Sequence, residues 1–98
     1  FGPIPAGPKV EQPKPQVPEL AEPKHVTMTD RVALARAQLA WPTVPTGHED
    51  EAALDVLATV LGQLPTENRL YKALVYDKPR AAQVASFHFA SQLSGTFG

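Results

Sequence analysis

The sequence contains no cysteine. Disulfides, thiolate ligands and a cysteine nucleophile are therefore excluded, while the compartment stays open, since periplasmic proteins can also lack cysteine. It has no basic block. Its net charge is −1 with both signs interspersed, so the phosphate-neutralising surface that nucleic-acid binding needs is missing. No apolar run approaches the ~20 residues that cross a bilayer. The glycines form no phosphate loop, and Ser86, Ser91 and Ser94 lie in no G-x-S-x-G elbow. No two of His25, His48 and His88 lie within five residues of each other, so a helical zinc pair of the H-E-x-x-H or H-x-x-E-H type is absent. No catalytic, cofactor-binding or metal-binding residue is assigned.

Proline, in contrast, is plentiful and unevenly placed. Seven of the eleven prolines, Pro3, Pro5, Pro8, Pro13, Pro15, Pro18 and Pro23, fall in residues 1–23. Proline removes amide donors, and charged residues stand between the later ones, so 1–23 reads as an extended inter-domain linker. Pro15-Gln16-Val17-Pro18 also matches P-x-x-P, the form of an adaptor-domain ligand, which is a weak signal in such a linker. Residues 24–98 remain for an α+β domain, roughly 75 residues, a size of marginal stability.

Alternation and β-branching predict strands over His25–Thr29, Val32–Trp41 and Ala81–Ala90, the last with Phe87 and Phe89 inward; the alanines of Val32–Trp41 suit a helix by propensity as well. His88 then falls on the opposite face, as an ordinary sheet histidine. Ala53, Val56, Leu57, Val60 and Leu61 predict one buried stripe on a helix from His48 to Leu61. Glu49, Asp50 and Glu51 suit its first turn, and Gly62 suits a left-handed C-cap. A second helix opens at Pro65-Thr66 with Thr66 as N-cap, and buries Leu70, Ala73 and Leu74. The expected core is Leu34, Leu39, Trp41, Val56, Leu57, Val60, Leu70, Leu74, Val84, Phe87 and Phe89. The order strand, strand, helix, helix, strand predicts a mainly antiparallel sheet with helices packed on one face.

Several stretches resemble the pitrilysin/insulinase zinc metallopeptidases, in the order that family places them. Phe1-Gly2-Pro3-Ile4-Pro5-Ala6-Gly7 resembles the proline-rich join between repeats. Val32 to Pro42 looks like the next repeat's opening strand, and His48 to Gly62 like its glycine-ended helix. Asn68-Arg69-Leu70-Tyr71-Lys72-Ala73-Leu74 is similar to the family's Ser-Arg-Leu-Tyr-x-x-Leu helix start. Ser94-Gly95-Thr96-Phe97 looks like the approach to a later strand.

The resemblance implies a partial unit of a clamshell, taken from the half without zinc. The parent's zinc would sit on an H-x-x-E-H helix of the facing unit and activate water, with the motif glutamate as base. None of those residues falls in this sequence. Zinc is thus expected in the parent and no cofactor in this chain, which alone should not cut peptides. Its implied partners are the zinc-bearing unit of the same parent and a peptide substrate held as an added strand. Many non-zinc units also carry an arginine and a tyrosine that reach the substrate. The alignment puts Val75 and Ala82 there; Arg69 and Tyr76 share the separation but are out of register. That departure leaves open a structural or assembly role, like that of family members kept as respiratory-complex core subunits. Both ends read as cut, so unpaired sheet edges and self-association of the isolated chain are expected. For a bacterial parent the expected compartment is the periplasm.

Overall fold

A computed structural model describes residues 2, 3, 5–63 and 68–98. Among the described residues its regular structure begins at Trp41. Strand β1 (Trp41–Thr43) is followed by helix α1 (Glu51–Ala58), which runs on as a π-helical segment, Thr59–Gln63. Helix α2 (Arg69–Tyr71) likewise continues as a π-helical segment, Lys72–Asp77, and strands β2 (His88–Ala90) and β3 (Gly95–Phe97) complete the fold. Among the described residues the sheet has the order β1-β3-β2, antiparallel throughout. The architecture is α+β.

Hairpin β2–β3 turns through Ser91–Ser94, where the Ser91 amide and hydroxyl both donate to the Ser94 carbonyl (2.9 and 2.7 Å). Phe87 and Gly98 exchange two backbone bonds, 2.8 and 2.9 Å, and extend the ladder by one pair. β1 enters from the far side, with Trp41 opposite Phe97 and Thr43 opposite Gly95.

Gly47 has φ +87° in the turn Pro45–His48, a conformation that favours glycine at the third position of a tight turn. That turn feeds α1. Glu51 Oε2 reaches back to accept from the Gly47 amide at 2.7 Å, while Asp50 stands at the N-cap without a side-chain cap bond. On α2 the cap is Asn68, whose Oδ1 accepts from the Tyr71 amide at 2.7 Å. The expected start at Pro65-Thr66 lies outside the described residues.

Several expectations are corrected. His25–Thr29 and most of Val32–Trp41 form no strand, because among the described residues no second strand lies beside them to receive their ladder bonds; of these stretches only the end at Trp41, continuing to Thr43, pairs. Ala81–Ala90 shortens to its last three residues, and the strand at Gly95–Phe97 pairs as the middle one. The apolar stripe of α1 is rotated from the predicted one. Ala58 is fully buried, Leu54 and Leu61 are half-buried and Gly62 is buried, whereas Val56, Leu57 and Val60 are exposed. Gly62 is no left-handed cap. It lies inside the π-helical segment, where an added Cβ would stand 2.5 Å from the Ser86 amide nitrogen. The glycine is needed for close approach of two backbones, not for a positive φ.

The strand β2 faces the other way from the prediction. Phe89 is 66 % exposed and Phe87 38 %, while the His88 side chain is 1 % exposed and points towards α1. Of the expected core, Leu34, Leu39 and Trp41 are exposed too, and Leu70, Leu74 and Val84 are half-buried. The buried apolar residues are Ala58 and Phe97 among those described. The chain exposes 9093 Å², against about 5,500 Å² for a compact chain of this mass. Its radius of gyration, 19.1 Å, likewise exceeds the ~13 Å of a compact chain this long.

Candidate functional site

The polar centre of the fold lies between α1 and the sheet. His88 Nδ1 is 2.8 Å from Asp55 Oδ1 on α1, and His88 Nε2 is 3.3 Å from Thr43 Oγ1 on β1. A carboxylate only accepts hydrogen bonds, so with Asp55 ionised and the ring neutral, Nδ1 carries the proton and Nε2 accepts from the Thr43 hydroxyl. The Phe97 ring lies beside the imidazole, centroids 6.4 Å apart. Hydroxyl, imidazole and carboxylate thus follow one another as in a nucleophile relay. Here the imidazole is buried under the helix and ties three elements together. The arrangement fastens α1 to two strands.

Thr43 can reach His88 because of Gly95. β1 and β2 are separated by β3, and at Gly95 a Cβ would stand 2.5 Å from Thr43 Oγ1 and from the Val44 carbonyl oxygen. Sequence reading missed this network. The one signal is the alternation that sets His88 apart from the phenylalanines, and it is His88 whose face is covered.

Next to Thr43 an apolar groove of about 460 Å³ runs between β1 and α1. Pro42 and Val44 form one side, and Ala53, Leu54 and Leu57 the other. Val17, from the proline-rich segment, lines it as well. The Gln16 amide donates to the Leu93 carbonyl in the hairpin loop at 2.9 Å. Residues 15–18 are therefore seated on the folded half.

The other histidines stand apart. His25 is exposed in a stretch without regular structure. His48 Nδ1 accepts from the Asp50 amide at 3.2 Å and lies 3.6 Å from Asp50 Oδ2, a local contact at the start of α1. Among the described residues no three histidine, aspartate or glutamate side chains gather as a metal ion would need. Val75 is half-buried and Ala82 exposed. Arg69 is exposed, and the Tyr76 ring meets that of Tyr71 edge-on at 5.3 Å. Among the described residues no helix is long and apolar enough to cross a membrane.

The sequence model of the peptidase M16 inactive domain matches residues 1–98. The chain belongs to that family, as an inactive, peptidase-like unit. Comparison with curated proteins gives no match, nor does comparison with solved structures.

Proposed function

We propose that this chain is a non-catalytic unit of a zinc metalloendopeptidase of the pitrilysin/insulinase type, where it walls the substrate chamber and pairs with the zinc-bearing unit of the same parent. The observation that carries this reading is the uncovered apolar stripe of α1. Val56, Leu57 and Val60 are exposed on a helix whose other side already covers the sheet. Membership of the M16 inactive domains supplies a partner for that stripe, the catalytic unit with which such domains pair.

Zinc chemistry is assigned to the facing unit. Among the described residues the side chains do not fit a zinc site, because His88 is committed to Asp55 and Thr43 and the other histidines stand apart. Zinc in the parent would activate the hydrolytic water. What this chain contributes is surface: a wall, and the outer edges of β1 and β2, where an extended peptide can add as a strand.

The test is a peptidase assay on the intact parent polypeptide with Val56→Asp and Val60→Asp. Both residues are exposed in this chain, so its own folding should survive. Cleavage should fall while bound zinc is retained. Unchanged cleavage would remove the pairing surface from the reading. A parent without any zinc-bearing unit would favour the structural or assembly role, towards which Val75 and Ala82 already lean.

A further inference from the structure

The groove beside Thr43 and the segment that enters it carry an inference that needs neither zinc nor the chamber, although Leu57 belongs both to the groove and to the exposed stripe of α1. Residues 15–18 are built for docking at low entropic cost. Proline fixes φ near −65°, and a residue before proline is confined to extended conformations. Pro15 and Pro18 are thus pre-set, and so is Val17, which precedes Pro18. Within Pro15–Pro18 only Gln16 and Val17 carry an amide hydrogen, and that of Gln16 is bonded to the Leu93 carbonyl at 2.9 Å. One side chain further on, Val17 lines the groove. Pro18 and Leu20 then line a second, smaller hollow of about 300 Å³ with Trp41, Pro42 and Thr96.

Modular domains take proline-rich ligands as a stiff extended backbone laid in an aromatic-lined groove; here the backbone is equally stiff, the groove is aliphatic and the aromatic, Trp41, stands in the second hollow. We propose that the groove between β1 and α1 is a recognition site for an extended peptide carrying an aliphatic residue immediately before proline, and that Gln16–Val17–Pro18 is its built-in competitor. The occupant is tethered. Residues 19–40, which carry no regular structure, connect it to β1. A tether of that length has an end-to-end distance on the order of 25 Å and gives an effective concentration around the millimolar range. At micromolar protein the segment therefore occupies its own chain's groove before that of another copy. A peptide arriving from outside must displace it. The 460 Å³ that stay open beside Val17 leave room for a larger aliphatic side chain, so leucine in place of valine should improve the ligand.

The experiment uses the full chain and a fluorescently labelled synthetic peptide copying residues 12–22, read by anisotropy. Val17→Asp vacates the groove without touching its walls. The peptide should bind that variant more tightly than the wild-type chain, by about tenfold if the segment's own dissociation constant is about 0.1 mM against a millimolar effective concentration. Adding Ala53→Glu, at an exposed position of the wall, should abolish the gain. Equal affinity for wild type and Val17→Asp overturns the proposal, as does binding that ignores Ala53→Glu. A second measurement does not depend on the variants. In wild-type protein the Gln16 amide should exchange with deuterium more slowly than the neighbouring Gln12 amide; equal rates would mean that the segment is not seated.

Discussion

Thr43 and His88 stand on strands that do not touch, yet their side chains meet at 3.3 Å over the strand between them. Neighbouring strands are about 4.8 Å apart, so two outer strands can join side chain to side chain only where the middle one leaves the space clear. Gly95 leaves it clear. Gly95→Ala should break the Thr43–His88 bond and destabilise the chain by roughly 1–3 kcal/mol, the usual range for overpacking. Urea unfolding measures the loss, and an unchanged midpoint would contradict the crossing.

The His88–Asp55 bond makes a prediction about protons. Two-bond proton–nitrogen spectra of His88 should show Nδ1 protonated and Nε2 bare while Asp55 is ionised. His88→Ala should cost roughly 1–3 kcal/mol, because the buried imidazole is lost with its bonds to the half-buried Thr43 hydroxyl and to the Asp55 carboxylate, which water can then solvate. Asp55→Asn keeps an accepting oxygen and should cost less, about 1 kcal/mol. The opposite ordering of the two variants would contradict the network.

A different joint holds α1 to the segment before β2. The Ser86 hydroxyl donates to the Ala58 carbonyl at 2.6 Å, and Thr59 Oγ1 donates to the Asp55 carbonyl at 2.9 Å. Carbonyls shared with hydroxyls are where a helix bends or widens, and here the π-helical segment begins. Gly62 lies one turn on, against the Ser86 and Ala85 backbone. Gly62→Ala should cost about 1–3 kcal/mol despite alanine's better helix propensity, since backbone atoms cannot step aside as a flexible side chain can. A more stable variant in thermal melts would show that the contact is slack.

Leu57→Ala should cost less than about 1 kcal/mol in this chain, since Leu57 is 44 % exposed. Ala58→Leu, one residue on, should be far more damaging, because Ala58 has no exposed surface and faces the Ser86 contact. Circular-dichroism melts of the two variants decide which stripe of α1 is inside. A severe loss from Leu57→Ala would restore the stripe predicted from the sequence.

Much of the class was legible. A helix with the acidic run Glu49–Glu51 at its start, a second helix through Leu70–Leu74 and a strand ending at Ala90 follow from spacing and turn residues, whereas the strand at Gly95–Phe97 is signalled only by the family resemblance. The α+β class came with them. Facing was harder. Periodicity says that Leu57 and Ala58 lie on different sides of a helix, but not which side a sheet will cover, and hydrophobicity alone chose Leu57. In β2 the same rule chose Phe89 over His88, because an imidazole repays burial only when partners such as Asp55 and Thr43 await it, and those stand 33 and 45 positions away. The docking of Val17 was hidden for a related reason. Proline spacing announces an extended backbone, and what that backbone lies against depends on elements that come much later in the chain.

The middle strand is also the last of the three to leave the ribosome. Until Gly95–Phe97 has been synthesised, Trp41–Thr43 has nothing to pair with, and the carbonyl that anchors Gln16 belongs to a hairpin still unmade. Translation must therefore carry the proline-rich segment and the first strand unpaired through more than fifty codons, exposed to chaperones, before both are captured almost together.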